Sequence, residues 1–233
     1  MPKIRVHDFE TTGLEADSKV CEMGWCDVVN DGGGWKIGRQ GSSLYEVDEM
    51  PPQARAIHHI SAAETKGFQV FEPSILWVQA KADGVDVVAS HNTKYDGAYW
   101  GEPELPVLCT LKAARQVWPL EAPAHGNGVL RYWLEDQGLI APDNALTLPP
   151  HRAGPDAYVT AHILLVLLTK ATAAQMVAWT KLPLLQPRIT FGKHKGEWAD
   201  APADYLQWIM RSDLDDDTKW NADRELTRRQ VAA

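Results

Sequence analysis

The sequence has few cysteines and lacks a long hydrophobic run. Its longest apolar stretch, AHILLVLL, is much shorter than the roughly 20 residues that a membrane-spanning helix needs. No basic and apolar leader pattern marks the first residues. The three cysteines lack C-x-x-C spacing, which argues against a disulfide framework and against a structural zinc site. We therefore expect a cytoplasmic protein without a membrane partner.

Basic residues are also outnumbered. The chain has 23 Lys and Arg and 31 Asp and Glu, which gives a formal net charge of −8. Such a balance usually counts against nucleic acid, because Lys and Arg drive non-specific phosphate binding. The excess of acidic residues lies in only one part of the chain, however. Residues 1–180 carry 14 basic and 22 acidic side chains, whereas residues 181–233 carry nine of each. If several acids hold divalent cations, a phosphate substrate is not excluded.

The order of apolar patterns predicts a mixed α/β fold. The opening run IRVHDFETTG and the segment KVCEMGWCDVVNDGGGWKIGRQGSSLYEV, which contains a Gly-rich turn, predict three antiparallel strands. Helical and β-branched segments then alternate, from SILWVQAKA through VDVVAS and PVLCT to LKAARQVW. A long amphipathic helix is predicted over PDAYVTAHILLVLLTKAT. This pattern describes a mixed sheet with helices packed on it.

The proline-containing stretch KLPLLQPRI is typical of a linker. We predict a first domain over residues 1–175, a linker over 176–189 and a small C-terminal unit over 190–233. In that unit Tyr205 and Trp208 share a predicted helix face and are expected to pack its core. The turn GKHKG permits two interpretations, a solvated hairpin tip or a contact with a phosphate backbone.

Three short segments place acidic residues and histidines where predicted elements begin or end. They are HDFETTG (7–13), SHNTKYD (90–96) and HRAGPD (151–156). Because strand side chains alternate between faces, Asp8 and Glu10 share one face. If the sheet brings the three segments together, Asp96, Asp156 and His151 join them in one cleft.

Four carboxylates in one cleft repel one another unless cations neutralise them or one holds a proton. Oxygen ligands favour Mg²⁺ or Mn²⁺ over zinc, and two such cations about 3.5–4 Å apart suit phosphodiester hydrolysis. The spacing H-x₄-D occurs twice, from His91 to Asp96 and from His151 to Asp156. Spacing alone therefore leaves both histidines open as the general base.

The segments DFETTG, HNTKYD and HRAGPDA resemble the three motifs of the DEDDh branch of the DnaQ-like 3′-to-5′ exonuclease superfamily. AIHHIS resembles a turn of that family, with His59 where many members have Gly. CTLKAARQVWP resembles the segment before the late helices of that family. The later FGKHKG and YLQWIM resemble the bacterial exodeoxyribonuclease X group in particular. The resemblance implies an RNase H-like mixed five-stranded sheet flanked by helices, followed by a small C-terminal unit.

The resemblance also implies roles for individual residues. Asp8, Glu10, Asp96 and Asp156 would hold two Mg²⁺ ions, with Mn²⁺ as a substitute, and His151 would be the general base. The loop that meets the terminal nucleotide would include Thr11, Thr12, Gly13 and Leu14. His91 and Asn92 are further candidates for substrate contact, although His91 is expected chiefly to order the loop that carries Asp96.

We therefore expect an exodeoxyribonuclease that releases nucleoside 5′-monophosphates from single-stranded DNA and duplex ends, in DNA repair or in trimming of 3′ termini. The alternatives are an RNA 3′ exonuclease of the same chemistry and a non-catalytic module that binds 3′ ends. A proofreading subunit of a polymerase is a further possibility, but no docking segment or obligatory protein partner is evident in the sequence.

Overall fold

The structure, a computed structural model, describes residues 1–231 and contains one mixed five-stranded sheet. Its strands are Lys3–Thr11 (β1), Val20–Asn30 (β2), Trp35–Leu44 (β3), Val87–Ser90 (β4) and Val107–Cys109 (β5). The order across the sheet is β3-β2-β1-β4-β5. The first three strands pair antiparallel, and β4 and β5 extend the sheet in parallel with β1. The predicted fold class is confirmed.

Helices connect and cover the strands. Those before β5 are Pro52–His58 (α1), Ala62–Thr65 (α2), Pro73–Ala82 (α3) and Thr93–Asp96 (α4). Those after β5 are Thr110–Val117 (α5), Asn127–Asp136 (α6), Ala153–Leu168 (α7), Ala173–Thr180 (α8), Ala203–Arg211 (α9) and Asp216–Val231 (α10). Two 3₁₀ turns lie at Gly97–Tyr99 and Trp198–Asp200.

Local sequence signals explain several helix ends. Pro73 is the first residue of α3, where its missing N–H leaves no helical hydrogen bond unmade. Ser61 and Glu64 form a reciprocal capping box at the start of α2. His59 ends α1 in the left-handed conformation, with φ of +62°. A glycine adopts that conformation at little cost, so histidine there carries steric strain.

The two faces of the sheet bury separate apolar clusters. Ile4 and Val6 of β1 belong to the cluster under α5, α6, α7 and α8, whereas Phe9 belongs to the cluster under α3. Asp8 and Glu10 therefore continue the row that faces α7. Helix α7 was predicted to be amphipathic, but ten of its 16 residues are buried. It lies between the sheet and the helices α5 and α6, so most of its surface is covered.

The predicted boundary at residue 175 falls inside α8 and is wrong as a boundary between packed units. Met176 is fully buried in the cluster under α7, so α8 belongs to the first domain. Irregular chain begins after Thr180. Beyond it, Ile189, Trp198, Ala201, Leu206, Ile209 and Ala222 form a separate buried cluster. The C-terminal unit thus has a core of its own.

The segment between the two cores is held by hydrogen bonds to both. Lys112 of α5 donates to the carbonyl of Leu182, and Arg115 donates to that of Leu185 at 3.0 Å. On the other side, the Leu184 N–H donates to Asp217 of α10 at 2.7 Å. The segment is therefore docked on both units along its length.

Within residues 1–231 no single helix is long and apolar enough to cross a membrane. Helices α7 and α8 reach that length and composition only as a pair bent by 113°.

Candidate active site

Strand β1 delivers two carboxylates to the edge of the sheet beneath the start of α7. Asp8 lies opposite Gly24 of β2, and Glu10 lies opposite Glu22. Gly24 leaves the space that α7 needs, because a Cβ atom there would lie 2.0 Å from the backbone of Ala153. The first turn of α7, which contains Asp156, can consequently rest directly on the sheet.

An ion pair fixes the same helix start. The Arg152 guanidinium donates two hydrogen bonds to Glu22, at 2.8 and 2.9 Å, and the Ala153 N–H donates to the same carboxylate at 3.0 Å. Glu22 is buried, whereas Arg152 is about one third exposed. This contact between β2 and α7 fixes the positions of two residues above β1. They are His151, which precedes Arg152, and Asp156, which follows it.

The three carboxylates of Asp8, Glu10 and Asp156 meet above β1, with one oxygen from each within 4.8 Å of the others. Asp96, at the end of α4, is buried, and its Oδ2 atom has no hydrogen-bond partner among the described residues. Asp96 is also the charged group that most strongly disfavours ionisation of Asp8. The structure therefore brings three of the four predicted carboxylates within 4.8 Å of one another, and Asp96 lies near enough for its charge to act on Asp8.

Burial and mutual repulsion raise the pKa values of this cluster. Burial, followed by the charge of Asp156, raises the pKa of Glu10 to about 8. Burial raises the pKa of Asp96 to about 7. The pKa of Asp8 is raised well above its ordinary value by burial and then by Asp96, and burial also raises that of Asp156. Without cations, the cluster holds protons at neutral pH.

This donor set fits hard divalent cations. All its ligand atoms are carboxylate oxygens, which Mg²⁺ and Mn²⁺ accept readily, and no cysteine or histidine belongs to the cluster of ligand atoms found in residues 1–231. The unpartnered oxygen of Asp96 is a buried acceptor that a cation or a water bound to one would satisfy. Asp8, Glu10 and Asp156 would hold a first cation, and Asp8 with Asp96 a second.

The two histidines with H-x₄-D spacing have different surroundings. His151 is exposed, lines the same cavity as Asp8 and Asp156, and has a left-handed backbone with φ of +58°. Its backbone N–H donates to Asp156 Oδ2 at 3.1 Å. Strained backbone of this kind is concentrated at functional sites. The geometry favours His151 over His91 as the base.

His91 has no ring nitrogen free for substrate. Its Nδ1 atom lies 2.9 Å from the Thr110 hydroxyl and its Nε2 atom lies 2.8 Å from the carbonyl oxygen of His125. Burial lowers its pKa to about 4. Both nitrogens bond within the protein, so they are not available for hydrogen bonds to substrate, and the predicted substrate contact of His91 stays a prediction. The expected role in ordering the loop before Asp96 fits these contacts.

A cavity of about 930 Å³ opens beside the carboxylates. Helix α1 and the loop after β1 form its walls, and its lining includes all four predicted loop residues, Thr11, Thr12, Gly13 and Leu14. Leu14 is 83% exposed, which leaves its side chain free to meet a base. Gly13 lies close to Ser18, since a Cβ atom there would be 3.1 Å from the serine oxygen.

The two threonines of the loop already bond within the protein. The Thr11 hydroxyl bonds the Gly13 carbonyl at 2.6 Å and the Tyr95 hydroxyl at 2.7 Å. The Thr12 hydroxyl accepts from the Lys19 N–H at 2.9 Å. These contacts indicate that both side chains hold the loop in shape. Asn92 is exposed in a left-handed conformation, with φ of +75°, and does not line the cavity, so its predicted substrate contact stays a prediction.

Comparison with known proteins agrees with this geometry. Exodeoxyribonuclease 10 of Escherichia coli strain K12 is 32% identical over 218 residues, which are 90% of this chain and 91% of the relative. The same protein from E. coli O6:H1 strain CFT073 matches equally. This chain belongs to the exodeoxyribonuclease X family. It is accordingly an exonuclease, as its resemblance to the DEDDh motifs implied.

Solved structures support membership of the exodeoxyribonuclease X family. An exonuclease X bound to 5′ overhanging duplex DNA has a TM-score of 0.61 at 31% identity, and the match covers 76% of this chain and 99% of that one. E. coli exonuclease I bound to single-stranded DNA has a TM-score of 0.52 at 16% identity, over 77% of this chain and 42% of that one. The second likeness shows the fold alone. No protein-family model matches the chain.

Several residues that shape this exodeoxyribonuclease X family site were missed by sequence reasoning. They are Glu22, Gly24, His58, Tyr95 and Arg152. Tyr95 and Arg152 carried a signal because they lie inside motif segments, and His58 lies inside AIHHIS, the segment that resembles a turn of the family. Glu22 and Gly24 become visible only through the register of β2 against β1. His58 lies under the Thr11 carbonyl and reaches the cavity because α1 folds back over β1.

Proposed function

We propose that this exonuclease hydrolyses DNA from its 3′ end and releases nucleoside 5′-monophosphates, acting on single strands and on duplex ends. The cluster of Asp8, Glu10 and Asp156 beside the exposed His151, with Asp96 buried nearby, carries the proposal. The matched E. coli protein is called an exodeoxyribonuclease, and a solved relative holds DNA with a 5′ overhang. Both support DNA as the substrate.

The proposed cofactors are two Mg²⁺ ions, for which Mn²⁺ would substitute. When bound, the two cations polarise the attacked phosphate and lower the pKa of the attacking water. Asp8, Glu10, Asp96 and Asp156 hold these positive charges in a buried site, where the carboxylates would otherwise keep their protons. The raised pKa values thus support a site built for cations.

His151 serves as the general base in this proposal. Histidine side chains accept protons near neutral pH, and the exposed ring of His151 can approach the attacking water from the solvent side of the cavity. The hydrogen bond from its backbone N–H to Asp156 holds the backbone of His151 close to the carboxylates. Leu14 and Gly13, which line the same cavity, would receive the last base and the 3′ terminus.

The test is release of mononucleotides from single-stranded DNA labelled at either the 3′ or the 5′ end, with Mg²⁺ or with EDTA. We expect a Mg²⁺-dependent ladder that shortens from the 3′ end, and a loss of at least about 100-fold in turnover for His151→Ala. His91→Ala is the matched control. It removes a histidine with the same H-x₄-D spacing and should cost less turnover once folding is verified.

Three outcomes would contradict the proposal or its assignment of the base. Faster degradation of a matched RNA 3′ end would make the enzyme an RNA exonuclease of the same chemistry. Binding of 3′ ends without metal-dependent release would favour a module that only recognises termini. A larger loss for His91→Ala than for His151→Ala, in folded variants, would show that the base is misassigned.

A further inference from the structure

The C-terminal unit presents an aromatic surface that its own core does not use. Leu206 and Ile209 of α9 point into that core, together with Trp198. Tyr205 packs at the edge of the core, and Trp208 is 53% exposed. The expectation that Trp208 packs the unit is therefore wrong. Trp198 fills the core, which leaves the ring of Trp208 facing solvent.

The turn before α9 is built onto this aromatic pair. Ile189 and Gly196 pair through two backbone hydrogen bonds, of 2.8 and 3.0 Å, which close the loop between them. Gly192 has φ of +66°, and a Cβ atom there would lie 2.4 Å from the Tyr205 hydroxyl. Glycine is thus required twice over at this position, for its conformation and for the close approach.

Three rings lie next to one another at this surface. The His194 ring lies 4.6 Å from that of Tyr205, centroid to centroid, and is tilted by 57° to it. The Tyr205 ring stacks on Trp208 at 5.4 Å with an interplanar angle of 23°. Lys193 and Lys195 flank His194 and are both exposed. We call these five residues, His194, Tyr205, Trp208, Lys193 and Lys195, the aromatic-basic surface.

The charge around the aromatic-basic surface favours a polyanion. The turn from Gly192 to Gly196 has three basic residues and no acidic one. On α9, the Asp204 carboxylate accepts a hydrogen bond from the N–H of Tyr205 at 2.9 Å, so it faces the helix backbone. Glu197 follows the turn directly and is exposed. Positive charge is therefore confined to the turn itself, at Lys193 and Lys195, while Glu197, Asp200 and Asp204 beyond it are acidic.

We propose that the aromatic-basic surface binds a single-stranded stretch of the DNA substrate at a distance from the 3′ end under hydrolysis. The inference rests on the proposed function, which identifies the bound strand as DNA. An exposed tryptophan supported by a second ring offers a stacking platform for an unpaired base, and every base has a face that can stack. Lys193 and Lys195 lie in the same turn and can neutralise adjacent phosphates.

The path of the chain supports this assignment. The Thr180 hydroxyl, at the end of α8, accepts a hydrogen bond from the backbone N–H of Cys109 at 2.8 Å. Cys109 ends β5, which runs parallel to β4, which in turn runs parallel to β1. The chain therefore passes from the first domain to the C-terminal unit at the same end of the parallel strands as the carboxylates of β1.

The test compares two oligothymidylates, one of about 4 nucleotides that occupies the cavity alone and one of about 30 that can reach both sites. Binding is measured by fluorescence anisotropy with Ca²⁺ in place of Mg²⁺, and nucleotide release is measured with Mg²⁺. The full-length chain is used with Trp208→Ala or with Lys193→Ala/Lys195→Ala. The matched control is Lys36→Ala/Lys170→Ala, which removes the same charge from exposed positions of the first domain.

We expect Trp208→Ala to weaken binding of the long strand about tenfold and to leave release from the short one unchanged, because one stacked base is lost. The lysine pair should lower the slope of log Kd against log salt for the long strand by about 1.4. The control pair should change neither quantity. Urea unfolding of each variant shows whether it is folded, and the lysine pair tests the surface independently if Trp208→Ala is unstable.

The inference and the proposed function fail in different ways. If the wild type degrades both strands and the variants bind the long one as the wild type does, the aromatic-basic surface is not a DNA site, although the function stands. If the control pair loses as much affinity as Lys193→Ala/Lys195→Ala, the effect is general charge and the inference falls. If no release occurs but Trp208→Ala still weakens binding of the long strand, the function fails and the inference stands.

Discussion

At the scale of single residues, the acidic cluster has the largest consequences. Glu10 and Asp96 titrate near pH 8 and pH 7 in the folded protein without cations, because burial disfavours their charged forms. In the unfolded chain both titrate near pH 4. The folded state therefore binds more protons than the unfolded state between about pH 4 and pH 8. The free energy of unfolding accordingly falls as the pH rises through this window.

We predict that Asp8→Asn stabilises the metal-free protein at pH 8 by about 1 kcal/mol, and has less effect at pH 5. The substitution removes a charge that repels its neighbours only when they are ionised. Urea unfolding in EDTA at the two pH values measures the difference. Adding Mg²⁺ should stabilise the wild type at pH 8 more than the variant.

Asp223→Asn is the control for that experiment, because it removes an exposed carboxylate from α10. It should change stability little at either pH. A variant Asp8→Asn less stable than the wild type at pH 8 would mean that Asp8 makes stabilising contacts stronger than the repulsion. The electrostatic account of the cluster would then be wrong.

At the scale of elements, the contact between β2 and α7 decides whether the site forms. Gly24 allows the helix to approach, and Glu22 binds Arg152 and the first N–H of the helix. Glu22 is buried and would carry an unpaired charge if Arg152 were lost. Breaking a buried ion pair costs several kcal/mol, and partial exposure of Arg152 reduces the cost here.

We predict that Arg152→Gln lowers the metal-free free energy of unfolding by about 1–3 kcal/mol. The double variant Glu22→Gln/Arg152→Gln should recover about 1 kcal/mol or more, since the unpaired carboxylate is gone. Urea unfolding of both single variants and the double variant completes the cycle. Additive losses would show that the two side chains do not stabilise each other.

At the scale of the whole molecule, the chain has two apolar cores joined by a docked segment. The clusters of the first domain end with α8, and the C-terminal cluster begins at Ile189. Hydrogen bonds from Lys112 and Arg115 to backbone carbonyls hold the connecting segment to the first domain. The bond from the Leu184 N–H to Asp217 holds it to the C-terminal unit. We propose that residues 1–180 fold without the remainder, and that the small unit serves to hold longer substrate.

We predict that a chain ending at Thr180 unfolds cooperatively and releases nucleotides from a short strand at nearly the full-length rate. A chain ending at residue 175 should lose about 2–5 kcal/mol relative to it, because Met176 is then missing from the core. Thermal unfolding of the two truncated chains measures the difference. If both behave alike, α8 contributes nothing to the first core and the boundary drawn from the structure is misplaced.

The sequence alone determined the parts of the protein that local rules govern. Strand alternation placed Asp8 and Glu10 on one face, and the order of patterns indicated a mixed sheet. The motif resemblance singled out Asp96, His151 and Asp156 without any distance being known. Each of these inferences depends on residues close to one another along the chain, or on a pattern whose spacing is itself local.

The residues that support the site could be identified only from the folded protein, because their contacts join positions far apart in the chain. Arg152 and Glu22 are separated by 130 positions, and no local pattern relates them. His91 and His151 share one spacing, but only the fold shows that His91 bonds Thr110 and the carbonyl of His125. Trp208 was expected in a core because helix periodicity gives a face without saying what covers it. Long-range packing, which short-range propensity does not encode, settled each case.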